Sequence, residues 1–129
     1  VAKAIPKQIF LVLADLEGEC IAGSLMFASD THLYGRHWGC SEQIDHLHFE
    51  ACYYQGIEYC IKHNLQVFEP GAQGEHKVAR GFVPTLTQSA HWIKDEGFQV
   101  PIKDFCKQEA QHIKHYIQQV NTHNPYKES

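Results

Sequence analysis

The 129-residue sequence predicts an α/β (α+β) fold on a mixed β-sheet, and three observations carry that reading. Three short runs rich in β-formers follow one another with only five and two residues between them. A stretch of helical period then leads into one more short apolar run. A long amphipathic helix closes the chain.

Gln8 to Ala14 (QIFLVLA) is the first apolar run, and Asp15-Leu-Glu-Gly18 reads as the turn after it. Cys20 to Ser29 places Ile21, Leu25 and Phe27 on one parity and Ala22, Ser24, Met26 and Ala28 on the other, the pattern of a strand buried on both faces. Asp30-Thr31 breaks this run, and His32 to Trp38 is the third strand. Such short connections imply an antiparallel meander. From Leu47 to His63 the period changes: Leu47, Ala51, Tyr54, Ile57 and Ile61 fall on one face of a helix. Asp45 is placed to cap its start, and Asn64 to end it in the left-handed conformation. Leu65 to Glu69 is the next strand, and a right-handed crossover sets it parallel to the third, side by side with it if no other strand intervenes.

Beyond Pro70-Gly71, the run to Arg80 is a loop or helical turn, and Thr85 to Ile93 (TLTQSAHWI) alternates as another strand. A helix starting at Pro101 then presents Ile102, Phe105, Ile113, Tyr116 and Val120 on one face, and residues 121–129 read as a frayed tail. The order is β-β-β-α-β-α-β-α in a single domain over 1–129, with the element between Gly71 and Arg80 a loop or a short helix.

Eleven Lys and Arg against fifteen Asp and Glu give a net charge of −4, which provides no general case for nonspecific nucleic-acid binding. No apolar run is long enough to cross a bilayer, and the N-terminus carries no secretory pattern, so the expectation is a cytoplasmic protein. The N-terminus also lacks an initiator Met, and we expect a piece cut from a longer chain. Five scattered cysteines without a C-x-x-C pair speak against a disulfide framework and a structural zinc site.

Chemistry concentrates in three places. In the run from Phe68 to Phe82, Gly71 and Gly74 let backbone N–H groups approach an anion, with Gln73 between them. Lys77 and Arg80 share one side of a helical turn, and Glu75 and His76 stand beside them. The second place is Asp45-His-Leu-His-Phe-Glu50, where His46, His48 and Glu50, joined by His76 or His91, form an alternative metal-binding set; we assign no metal site. In the third, Ser89 and His91 share one face of the fifth strand without meeting as nucleophile and base, and line the ligand site or the strand's polar face. Tyr53, off the apolar helix face, points its hydroxyl toward the site.

The blocks Leu33-Tyr-Gly-Arg-His-Trp-Gly39, His46 to Ile61, Phe68 to Phe82 and Ser89-Ala-His-Trp-Ile93 closely resemble the bacterial Fem-like (FemAB-like) family. Its members are labelled peptidoglycan biosynthesis/recognition proteins and are assigned to the GNAT acyltransferase superfamily. The resemblance implies a GNAT-like mixed sheet of which this chain is the C-terminal portion, the first helices and strand missing. It implies N-acyl or aminoacyl transfer from an activated donor to a small-molecule or peptide amine. The superfamily's acyl-CoA loop would fall at Gly39 to Asp45, and Gly-Cys-Ser-Glu-Gln-Ile-Asp does not match it, which sets aminoacyl-tRNA beside acyl-CoA as donor.

On that reading Glu75, His76 or Glu50 is the base, His91 a second polar contact, and Arg36, Lys77 and Arg80 hold the anionic donor or an acidic acceptor. No covalently bound cofactor is expected, and tRNA is a candidate partner. The exposed sheet edge of such a piece offers a route to a homodimer. The alternatives are a metal-dependent enzyme and a noncatalytic binding module on the same fold.

Overall fold

The computed structural model describes residues 3–71 and 75–122. The chain divides into two compact units, residues 1–73 and 74–129, each treated by itself.

The first unit opens with a 3₁₀ turn, Pro6–Gln8, and a three-stranded meander: β1 (Ile9–Leu16), β2 (Glu19–Ala28) and β3 (His32–Cys40). The strand expectations hold here to within about two residues, because alternation and turn chemistry agree. The first turn is shorter than expected. Only Glu17 and Gly18 lie outside the strands, with φ of 53° and 89°, the left-handed pair that a two-residue hairpin requires. At the second turn the Ser29 hydroxyl accepts from His32 N–H at 3.0 Å, and Ser29 N–H donates to the His32 carbonyl at 2.8 Å.

The helical stretch is α1 (Leu47–Phe49), a π-helical turn (Glu50–Tyr54) and α2 (Gln55–His63), and β4 (Val67–Glu69) follows. Strand order is β1-β2-β3-β4, with β4 parallel to β3, as the crossover demands. Asn64 ends α2 with φ 56°, and Leu65 N–H reaches back to the Cys60 carbonyl at 2.9 Å, closing a Schellman-type cap. Thr31 carbonyl accepts from Gln66 and Val67 N–H, which holds the start of β4 against the second hairpin turn.

The core lies between the sheet and this helical stretch. Met26 and Leu33 are fully buried with Cys60 beside them, and Phe10, Val12, Tyr59, Leu65 and Phe68 pack around them. Phe10 and Tyr59 stack at 4.1 Å between ring centroids. The helix face differs from the one its spacing predicts: Ala51, Tyr53, Gly56 and Cys60 are buried, while Tyr54 and Ile61 are exposed. A π-turn holds more residues per turn than an α-helix, so a strict 3.6 period drifts off the true buried stripe as it passes through. The expected cap is also displaced, to His46, which has φ 66° and makes no side-chain cap.

The second unit contains a 3₁₀ turn (Glu75–Arg80) and a helix, α3 (Glu96–Asn121). The strand expected at Thr85 to Ile93 is absent: the segment is irregular, with Leu86 and Trp92 exposed, and no strand in this unit's described residues is there to pair with it. The final helix begins five residues before Pro101 because Asp95 caps it, accepting from Gly97 N–H at 2.8 Å. Pro101 therefore sits inside the helix, without an N–H for the Gly97 carbonyl. Among the described residues no helix is long and apolar enough to cross a membrane.

The closest backbone approach in the core is at Gly56. A methyl group there would lie 2.5 Å from Phe68 Cζ and 3.3 Å from Met26 Sδ. Gly56→Ala is expected to cost about 1–3 kcal/mol through overpacking, despite alanine's better helix propensity, and thermal or urea unfolding measures it. A gain in stability would show that the helix does not sit this low on the sheet. Burial also pushes the Cys60 thiol above its ordinary pKa. The folded chain thus holds this proton to higher pH than the unfolded chain, and the stability linked to it is intact below the unfolded thiol's pKa and falls as pH rises through the folded value. Thiol labelling under mildly alkaline native conditions is expected to modify exposed Cys20, Cys40 and Cys106 quickly and Cys60 only on unfolding.

Candidate functional site

Two local irregularities build the site. In β3, Met26 pairs with Gly35 while Leu25 pairs with His37, so Arg36 is an extra residue in that strand. A bulge of this kind exchanges the faces of the residues beyond it. Simple alternation from Leu33 would turn Trp38 away from the helix. The bulge instead brings Trp38 opposite Ser24, on the helix-facing side.

On the helix side, the π-turn buries Tyr53 and leaves His48 among three rings. Centroids lie 5.4 Å from Trp38 and 5.4 Å from Tyr53, both edge-on, and 5.5 Å from Phe49. Such geometry sets ring edges against faces, the favourable arrangement for aromatic quadrupoles.

Between these walls, at the carboxyl end of β3, is an open cleft of about 290 Å³ lined by Trp38, Cys40 and residues 42–49. Glu42 and Asp45 are exposed on its rim. The loop is tied down at its base, where Ser41 donates from N–H at 2.8 Å and from its hydroxyl at 3.2 Å to the Ile21 carbonyl. His46 completes it in the left-handed conformation, and its carbonyl accepts from Glu50 N–H at 3.0 Å.

Beside this cleft β3 and β4 part. Their ladder covers only His32–Tyr34 against Val67–Glu69. A Cβ on Gly35 would meet the Pro70 backbone at 3.3 Å, so the two chains still touch there, and Gly71 then turns the chain with φ 96°. From Arg36 to Cys40 the edge of β3 on that side has no ladder partner among the described residues.

The residues expected at the site are distributed as follows. Glu50 is exposed at the start of the π-turn, and its Oε1 accepts from Gln55 Nε2 at 2.8 Å. Arg36 is exposed and is the bulged residue itself. Tyr53 departs from expectation: it is 3 % exposed and packs in the wall, because the π-turn rotates it inward. Gln73, Gly74 and the side chain of Glu75 lie outside the described residues.

In the second unit Lys77 and Arg80 fall three apart on a 3₁₀ turn, where such positions eclipse, so they share a side as expected. Arg80 Nη1 donates to the His76 carbonyl at 2.8 Å, so part of its guanidinium is engaged with its own turn. Ser89 and His91 do meet, Oγ to Nε2 at 3.0 Å, contrary to expectation. The segment is not a strand, and its backbone is free to bring the two together. Both are exposed.

Among the described residues no three His, Cys, Asp or Glu side chains converge as metal ligands, so the alternative set of His46, His48 and Glu50 gains no support. Residue spacing alone passed over Trp38, Asp45 and His48 as one site, since only a bulge and a π-turn bring Trp38 and His48 together. The available signal was positional: the loop after β3 opens the crossover helix.

The fold and cleft define a mixed α+β protein with a four-stranded sheet and a ligand-sized opening at the carboxyl end of a parallel-paired strand, where open α/β sheets commonly bind their ligands. The chain belongs to the FemAB-like family, described as peptidoglycan biosynthesis/recognition, whose model matches residues 1–128. No curated protein and no solved structure matches it.

His46 provides a test of the loop. If its role is to supply the left-handed turn, His46→Gly is expected to keep or slightly raise stability, whereas His46→Val should lose about 1–2 kcal/mol. Equal unfolding midpoints for the two variants would remove the backbone constraint from the site.

Proposed function

We propose that this chain carries a GNAT-like N-acyltransferase site that passes an activated acyl or aminoacyl group to an amine in cell-wall precursor metabolism. The observation that carries the reading is the parting of β3 and β4 after three paired residues. It frees backbone N–H groups along Arg36–Cys40 beside the cleft, where an acyl carbonyl could lie against the strand and have its developing negative charge stabilised. Family membership agrees with this chemistry.

The cleft suits the amine partner better than a phosphate. Glu42 and Asp45 on its rim repel anions, and Trp38 and Phe49 in its lining are aromatic groups of the kind that attract an ammonium ion. An incoming amine must lose a proton before attack. Glu50, its carboxylate steadied by Gln55, is the proposed base in the first unit; Glu75 and His76 are the proposed bases in the second. Lys77 and Arg80 remain the proposed holders of donor phosphate, with Arg36 as a further cation and His91, bonded to Ser89, as a polar contact. The absence of a glycine-rich run at Gly39–Asp45 favours an aminoacyl-tRNA over acyl-CoA.

The test is a transfer assay with aminoacyl-tRNA and acyl-CoA donors, cell-wall precursor peptides as acceptors, and product detection by mass spectrometry. Trp38→Ala and Asp45→Asn are expected to lower kcat/KM for the amine by roughly 5- to 30-fold, with the fold retained. Glu50→Gln should reduce kcat about 100-fold if it is the base. Full activity in Trp38→Ala and Asp45→Asn together would remove the cleft from the mechanism. The family description also includes recognition, so calorimetric binding of precursor peptide with no turnover for any donor would replace transfer by a binding role.

A further inference from the structure

The edge strand β1 carries a surface that nothing in the proposed transfer chemistry uses. Sheet order makes it one end of the sheet, paired among the described residues on one side only, with β2. Phe10 and Val12 turn into the core, so the alternate residues Leu11 and Leu13 face outward and are 53 % and 56 % exposed. Leu16 is 48 % exposed at the strand's end. From Ile9 to Ala14 the strand has no charged residue, no proline and no break in register. Soluble proteins ordinarily blunt a free edge with one of those devices.

The charges at the two ends of the strand are opposite. Lys3 and Lys7 precede it, and Asp15, Glu17 and Glu19 surround its far end. In a second copy running antiparallel, each basic end meets an acidic end; a parallel copy would set like against like.

We propose that β1 pairs antiparallel with β1 of a second copy across a two-fold axis near Val12, joining two four-stranded sheets into one of eight strands. Backbone hydrogen bonds along the edge supply the pairing, and Leu11 and Leu13 of the two copies cover one another on the outer face. The Lys7 end of each copy lies beside the Asp15–Glu17 end of the other. Two-fold closure uses up the edge of both copies, so assembly stops at the dimer.

Sedimentation velocity on the full 129-residue chain under reducing conditions, across a concentration series, is the test. The expected result is a monomer–dimer equilibrium with no larger species; a monomer at every concentration, or open-ended assembly, overturns the proposal. The double variant Leu11→Lys/Leu13→Lys should sediment as a monomer with unchanged far-ultraviolet circular dichroism, and a persisting dimer would overturn it. Lys7→Glu should weaken dimerisation roughly three- to tenfold, and adding Glu17→Lys should restore it. Because both of these side chains are exposed and the swap leaves the core alone, failure of the second change to rescue the first also counts against the pairing.

Discussion

The first unit depends on how low its helix lies on the sheet. Gly56 has no side chain, and the Phe68 ring and Met26 sulfur fill the space where one would be. That contact fixes α2 over the core, with Cys60 one turn further on against Met26 and Leu33. The other end of the helical stretch is held by His48, whose ring lies edge-on to both Trp38 and Tyr53. The π-turn, which contains Tyr53, lies between His48 and Gly56 and holds more residues than an α-turn would, so neither contact has to give. The bulge at Arg36 is the strand's counterpart. One added residue in β3 and one widened turn in the helix re-aim two rings, and those rings meet at the wall of the cleft. Neither irregularity is needed to form a sheet with a helix on it, which is why their convergence at the cleft marks the candidate site.

How far the sequence could be read follows from the same facts. The meander, the crossover, the parallel fourth strand and the left-handed Asn64 were legible because local period, turn residues and topology agree. The buried helix face was not, since Leu47, Ala51, Tyr54, Ile57 and Ile61 are spaced for an unbroken α-helix and the true stripe passes through Ala51, Tyr53, Gly56 and Cys60. A glycine in the stripe adds nothing to a hydrophobic period, although it is what admits the sheet. Trp38 was lost for a related reason: alternation cannot see a bulge. Thr85 to Ile93 alternates without a ladder partner among the described residues, and alternation alone does not make a ladder. For the final helix, Pro101 was read as the first turn, but the Asp95 cap sets the true start.

The charge pattern narrows what the cleft can take. Donors of activated acyl groups bring phosphate, which needs cations or backbone N–H groups pointed at it. The loop from Glu42 to His46 has two carboxylates and no lysine or arginine. For the amine acceptor proposed above every sign would reverse: the carboxylates would attract an ammonium ion, and proton loss on attack would leave a neutral nucleophile that they hold less tightly. Of the cations proposed to hold the donor, Lys77 and Arg80 lie on their own 3₁₀ turn and Arg36 is the bulged residue of β3.

Pairing through β1 is compatible with an open cleft because the two occupy different edges of one sheet. In the order β1-β2-β3-β4 the free edge of β1 is two strands from β3, whose carboxyl end borders the cleft, and the outward leucines lie on the face opposite Met26 and the helix. A dimer built there would leave Trp38, Asp45 and His48 uncovered. It would also protect a stretch of backbone that otherwise offers unpaired hydrogen-bonding groups beside exposed leucine, the combination most prone to indiscriminate strand addition. The opposed charges at the strand's ends then act chiefly through specificity, since exposed ion pairs add little energy but disfavour the parallel arrangement.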